Sequence, residues 1–252
     1  MRAAFAFTAL LLAGPAMAQE HEAVLPGTGW SFSGPFGTVD RAAAQRGFQV
    51  YREVCSNCHS MKLMYYRNLG QPGGPGLSEP EVKAVAASVQ VSGGTDDSGQ
   101  EVERPALPSD HFRSPFVNDK AARSANGGAL PPDLSLIVKA REHGADYIHA
   151  LLNGYRDPPE GVTVPPGQYY NEYFPGRMLA MPPPLSDEQV TYADGTKATV
   201  EQMSRDVVQF LNWTSNPEME VRKQMGVKVV LFLTLLTGLT YGVKKRIWKD
   251  VH

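Results

Sequence analysis

At 252 residues, 42% hydrophobic, with only two cysteines, the chain is too apolar to be disordered and too poor in cysteine to be a disulfide scaffold. Its formal net charge of −2 gives no general reason to expect nucleic-acid binding. The length fits one or two domains, and 24 Gly with 20 Pro predict abundant loops around a modest core.

Residues 1–18 have a basic start at Arg2, an uncharged apolar run of eleven from Ala3 to Ala13, and a small-x-small site at Ala16-Met17-Ala18. This is the layout of a secretory signal peptide, and the run is too short to span a bilayer. The mature chain is then expected to begin at Gln19, mostly outside the cytoplasm. One arginine is too few for an organelle transit peptide, which favours a bacterial periplasm.

Asp40 is placed to cap a helix from Arg41 to about Cys55, with Phe48, Tyr51 and Cys55 on one apolar stripe. Gly70 to Gly76 reads as a loop. Ser78-Glu79-Pro80-Glu81 resembles a capping box opening a second helix, with Val82, Val85 and Val89 on one face. Gly93 to Ser109, with Asp96, Asp97, Glu101 and Glu103, reads as an exposed acidic loop. Short helices are predicted at 118–125, 132–142 and 145–153, and an extended wrapping segment from Pro158 to Pro184. Asp194-Gly195 marks a turn. Thr199 with Gln202 can cap a helix through Trp213 that places Met203, Val207, Phe210, Leu211 and Thr214 on one face. Alternating strand patterns are nearly absent.

Val229 to Val243 is free of charge, and extending back to Met225 gives nineteen residues with Lys228 as the only charge. Nineteen residues reach about 28 Å, close to the hydrocarbon thickness. Lys244, Lys245, Arg246 and Lys249 follow with Trp248 among them, a cytoplasmic stop signal with an interfacial aromatic. A buried amphipathic helix is the rival reading, but its polar face would consist of threonines alone. These ends reshape the charge. Residues 19–221 hold sixteen bases against twenty-five acids, a net −9, whereas residues 222–252 hold seven bases against one acid, a net +6. The chain divides into a signal peptide (1–18), a mainly α, loop-rich periplasmic domain (19–221), and a single transmembrane anchor with a short cytoplasmic tail (222–252).

Cys55-Ser56-Asn57-Cys58-His59 is C-x-x-C-H, the attachment pattern of one covalent haem c, and it uses both cysteines. Cysteines three apart on a helix face the same way, so both thiols can reach the vinyl groups of one porphyrin. His59 follows directly and can ligate the iron. A disulfide oxidoreductase would need a strand–turn–helix before the motif, which is missing. A zinc site would need a second Cys or His pair at ligand spacing, and none is present.

The iron needs a sixth ligand or an open face. Met61 and Met64 are too close to His59 to reach the opposite side. Met203 belongs to a helix face, and Met219 lies beside the membrane. Met178 and Met181, in G-R-M-L-A-M-P-P-P-L, remain equal alternatives on the residues alone. His111, His143 and His149 read as solvated or structural. His/Met ligation raises the potential and closes the iron to substrates, which fits electron transfer.

Blocks along nearly the whole chain resemble the cytochrome c1 family, the haem subunits of ubiquinol–cytochrome c oxidoreductase (cytochrome bc1) complexes. They are R-G-F-Q-V-Y-R-E-V-C-S-N-C-H-S-M (46–61), A-A-R-S-A-N-G-G-A-L-P-P-D-L-S (121–135), I-V-K-A-R (137–141), L-L-N-G-Y (151–155), Y-F-P-G (173–176), L-A-M-P-P-P-L (179–185) and R-K-Q-M-G (222–226). The resemblance implies a class I c-type cytochrome domain, Cys55 and Cys58 as thioether attachment sites, and His59 and Met181 as axial ligands. It also implies Arg141 and Tyr147 near the haem propionates, with Asn126, Pro131 and Pro132 shaping the crevice. Some members brace the ligand loop with a further cysteine pair. This chain has no cysteine left, and Arg156 stands where one can occur.

The implied role is a one-electron relay in a bacterial inner membrane. A Rieske iron–sulfur protein would be the donor and a soluble or tethered cytochrome c the acceptor. The anchor would pack against cytochrome b and membrane lipid, with Gly238 and Gly242 as a small-residue face. The four acids of the 93–109 segment are docking candidates, or else a solvated loop. Two other readings stay in view: a membrane-tethered shuttle outside any quinol-oxidising complex, and a five-coordinate haem enzyme or gas sensor.

Overall fold

The computed structural model describes residues 24–250, so the signal-peptide segment 1–18 and the start at Gln19 lie outside the described residues. The framework is a pair of crossed helices, α1 (Arg41–Glu53) and α5 (Val200–Ser215). Both caps form as their sequences predict: Asp40 accepts from the Ala43 amide at 3.0 Å and Thr199 from the Gln202 amide at 3.1 Å. Twelve of the 16 residues of α5 are buried, so it is a central post rather than an amphipathic surface helix. Its predicted apolar face is buried, and so are Ser204, Asp206, Gln209 and Asn212. The buried Asp206 carboxylate is satisfied by two bonds of 2.9 Å from Arg46 on α1, and Arg46 also reaches Asp194 at 2.8 Å.

The helices meet at Gly47, where a Cβ would lie 1.9 Å from the Asp206 carbonyl oxygen, so only glycine permits the crossing. Phe48 and Tyr51 pack against Phe210 with tilted rings at centroid separations of 5.5 and 5.7 Å. Phe112 and Tyr66 continue this aromatic cluster toward the C-x-x-C-H segment. The Gly70 to Gly76 loop seats against Trp213, and a Cβ at Gly74 would come within 2.6 Å of the indole.

Around this frame stand α2 (Glu79–Ala87), a hairpin of β1 (Gln90–Thr95) and β2 (Glu101–Pro105), α3 (Asp119–Ala125) and α4 (Gly144–Asn153). A second small pair, β3 (Tyr169–Tyr170) with β4 (Met178–Leu179), and the 29-residue α6 (Met219–Ile247) complete it. The Ser78–Glu81 capping box forms at the start of α2.

Three local expectations are corrected. The acidic 93–109 segment is largely an antiparallel hairpin, closed by Asp96 accepting from Ser98 and Gln100 amides. Its strands are exposed on nearly every position, so they carry no apolar–polar alternation. Residues 132–142 form consecutive turns instead of a helix. Pro131 and Pro132 remove two donors, and the backbone there bonds to the motif segment, as described below. Finally, α1 stops at Glu53 rather than Cys55, and a single 3-10 turn carries Cys55–Asn57.

Among the described residues, one helix is long and apolar enough to cross a membrane, α6, with mean hydropathy 1.7 and none of its apolar window buried. Its first two turns are stapled to the domain. Lys223 donates to the carbonyls of Phe32 and Gly37, Glu220 accepts from the Val39 amide at 2.9 Å, and Met219 is buried.

Candidate functional site

The motif is built on the broken end of α1. The amides of Cys58 and His59 both bond to the Cys55 carbonyl, at 3.1 and 2.9 Å, which winds the five motif residues into one tight turn. Ser56 and Asn57 side chains donate back to the carbonyls of Arg52 and Glu53, taking up acceptors that the helix end leaves open. The two thiols therefore project from a turn and not from the α-helix. Both are free. Burial pushes the Cys55 thiol up to about 12, the reverse of the low-pKa thiolate that a disulfide oxidoreductase requires.

His59 is held from across the molecule. Its Nδ1 lies 2.8 Å from the Pro132 carbonyl oxygen. A carbonyl can only accept, so Nδ1 carries the proton and Nε2 keeps its lone pair. Burial lowers the His59 pKa, against the smaller opposing effects of the Pro132 bond and Asp133. The ring is thus a neutral imidazole with one nitrogen engaged and the other available as a ligand.

Pro132 owes its position to a zipper between residues 60–63 and 133–135. Asp133 accepts from Ser60 Oγ at 2.7 Å, the Lys62 amide at 2.8 Å and the Ser135 amide at 2.9 Å. The Leu134 amide donates to the Ser60 carbonyl at 2.8 Å, and the Leu63 amide to Ser135 Oγ at 3.1 Å. Burial alone would raise the Asp133 pKa, but the bonds from Ser135, Lys62 and Ser60 outweigh it and hold the carboxyl below its ordinary range. Asp133 was not singled out from sequence; its signal is its place directly after the Pro131-Pro132 pair.

Four methionines are core: Met61, Met64, Met203 and Met219 are all buried. Met178 and Met181 are half-buried. The Met178 backbone pairs with Tyr170 in the β3–β4 ladder. The Met181 carbonyl instead accepts a 3.0 Å bond from the Tyr155 hydroxyl. Arg141 and Tyr147 come together in one cleft of about 240 Å³, with Tyr173 and Phe174 on its walls. Arg141 is exposed, and its guanidinium donates to the Ala140 carbonyl at 3.0 Å. Asn126 ends α3, where its side chain donates to the Ala122 carbonyl at 2.7 Å. Of the histidines set aside from sequence, His149 is buried against Glu201 at 3.1 Å, His111 packs on Tyr65, and His143 is exposed at the start of α4.

The donor set suits a covalent haem: two cysteines in one turn, a neutral imidazole with its tautomer set by a backbone carbonyl, and a thioether outside the core. Among the described residues no group of three or more His, Cys, Asp or Glu could hold a bare metal ion.

Residues 30–251 match the model of the Cytochrome C1 family. The chain is similar to "Cytochrome c1" of Rhodospirillum rubrum, 46% identical over 96% of this chain and 94% of that protein. It is similar to "Cytochrome c1, heme protein, mitochondrial" of Saccharomyces cerevisiae, 48% identical over 93% of this chain and 75% of that protein. It is also similar to "Cytochrome b/c1" of Bradyrhizobium diazoefficiens, 50% identical over 90% of this chain, of whose length it spans 36%.

Proposed function

The chain belongs to the cytochrome c1 family, and on that premise we propose that it is the haem-bearing electron-transfer subunit of a ubiquinol–cytochrome c reductase in a bacterial inner membrane. It takes single electrons from a Rieske iron–sulfur protein and gives them to a soluble or tethered cytochrome c. The observation that carries this reading is the His59–Pro132 pair beside two free thiols. Once attached, the haem supplies a one-electron iron couple.

The protein's own residues do the rest. Cys55 and Cys58 fix the group covalently to one turn of backbone. Pro132 holds the His59 imidazole in the tautomer that presents Nε2. Met181 would be the second residue to hold the iron, and a thioether there would exclude dioxygen and small ligands and favour the reduced state. Arg141 and Tyr147 offer a cation and a hydroxyl to the haem carboxylates. Of the exported domain's acids, those of the β1–β2 hairpin project into solvent, where they favour a basic electron acceptor. Helix α6 crosses the bilayer once, with its C-terminal cluster Lys244-Lys245-Arg246 on the cytoplasmic side, and its uncovered flanks meet lipid and cytochrome b.

The test is a redox-titrated visible spectrum of the full chain and of Met181→Leu. The wild type should be low-spin and insensitive to carbon monoxide, and the variant should bind carbon monoxide and fall in potential. A variant that keeps the wild-type potential would remove Met181 from its role. Extraction in mild detergent addresses the partners: the subunit should arrive with cytochrome b and a Rieske protein, whereas a free shuttle would arrive alone.

A further inference from the structure

We infer that Asn171 and Tyr155 are positioning residues that form a noncovalent latch holding Met181 in place, which rests on the reading of Met181 as the axial ligand. The segment that carries Met181 has no covalent brace, because both cysteines of the chain lie in the haem motif. Three proline residues stiffen the backbone after Met181, but they fix nothing relative to the rest of the domain. That fixing comes from the end of α4.

Asn171 is fully buried, and its amide is spent on three bonds. Its Nδ2 donates to the Leu151 carbonyl on α4 at 2.8 Å, and its Oδ1 accepts from the Tyr173 and Phe174 amides at 3.0 and 3.2 Å. Its backbone forms an isolated antiparallel bridge with Tyr155, and the Glu172 amide donates to the Gly154 carbonyl at 2.9 Å. The approach is so close that a Cβ on Gly154 would lie 2.5 Å from the Tyr173 ring and 2.9 Å from Asn171 Oδ1. The Asn171 backbone N–H in turn donates to the Arg177 carbonyl at 2.9 Å, closing the turn that brings β4 back along β3. Two residues beyond β4 comes Met181, whose carbonyl the Tyr155 hydroxyl clasps at 3.0 Å.

The result is a closed circuit of local contacts: α4 to Asn171, Asn171 to the β3–β4 turn, β4 to Met181, and Met181 back through Tyr155 to the residue after α4. Asn171 sets the height of the hairpin on α4, and Tyr155 sets the last step, the position of the ligand's own backbone. A sulfur–iron bond to a thioether is weak, so a backbone held in register decides how readily another ligand displaces it.

The experiment is a titration of the ferric protein, in the intact complex, with imidazole. The sulfur-to-iron charge-transfer band is followed alongside, and Tyr155→Phe, Asn171→Ser, Met181→Leu and the wild type are compared. Tyr155→Phe removes one hydroxyl without changing shape. It should tighten imidazole binding about fivefold, the equilibrium weight of one ordinary hydrogen bond, while the band remains at zero imidazole. Asn171→Ser should tighten it further; because that variant can fail to assemble, Tyr155→Phe is the deciding arm. Unchanged imidazole affinity in Tyr155→Phe, with a large increase in Met181→Leu, overturns the latch and leaves the ligand assignment standing. A wild type without the charge-transfer band, or a Met181→Leu variant with wild-type imidazole affinity, overturns the ligand assignment and the latch with it.

Discussion

Asp110 shows how much one carboxylate can hold. It accepts from both terminal nitrogens of Arg104, at 2.6 and 2.9 Å, and from the Leu107 amide at 2.7 Å. The paired guanidinium, then the amide bond, hold its pKa down at about 2. An unfolded aspartate titrates near 3.9, so the stabilisation is fully present above about pH 4 and is lost as the pH falls toward 2. Asp110→Asn should flatten that stretch of the acid-unfolding profile, and an unchanged slope would count against the pair. The same scale shows what a sequence can and cannot disclose. C-x-x-C-H announces itself because its spacing is chemical. Asp133, Tyr155 and Asn171 do not, because each acts through a partner far along the chain, and Pro132, named only through the family resemblance, acts through a carbonyl that no side-chain pattern marks. Met178 and Met181 are equal alternatives on the residues alone, and their backbones differ only in contacts that no local pattern announces: a ladder pairing for one and the Tyr155 hydroxyl for the other.

Elements with a cap and an apolar stripe were legible. Helices α1 and α5 start at the caps read for them, because capping and burial agree there. Elements shaped by contacts with distant residues were not. The β1–β2 hairpin has no buried face to leave a period in the sequence, and the 132–142 turns are dictated by the zipper to residues 60–63. The crossing of α1 and α5 gives the sharpest prediction at this level. Gly47→Ala would drive a methyl group into the Asp206 backbone and pry apart the Arg46–Asp206 pair. It should lower the unfolding free energy by about 3 kcal/mol. Calorimetry of the holoprotein reads this directly, and a loss under about 1 kcal/mol would mean that the helices shift apart without strain.

At the scale of the molecule, a formal charge near zero hides an acidic stretch over residues 19–221 and a basic end, and a glycine-rich, proline-rich sequence still builds a continuous core around α5. The boundary between domain and anchor is not where the apolar run begins. Met219 is buried in the domain and Glu220 binds the Val39 amide, so the first turn of α6 is part of the globular fold. A chain ended after Lys223 should be water-soluble with a near-native melting temperature. One ended after Asn216 should melt several degrees lower, having lost a buried methionine worth about 2 kcal/mol. Equal melting temperatures for the two would show that the staple contributes nothing.

That staple has a mechanical meaning. A globular head on a slack tether would sweep a hemisphere above the bilayer and present its prosthetic group at every angle. Here the lysine clamp of Lys223 on the Phe32 and Gly37 carbonyls, with Glu220 beside it, joins head and mast as one stiff body. The altitude and bearing of the electron-carrying centre above the lipid are then set by the tilt of a single helix. On the function proposed above, the donor and the acceptor would do the travelling, with this subunit as a fixed terminal between them.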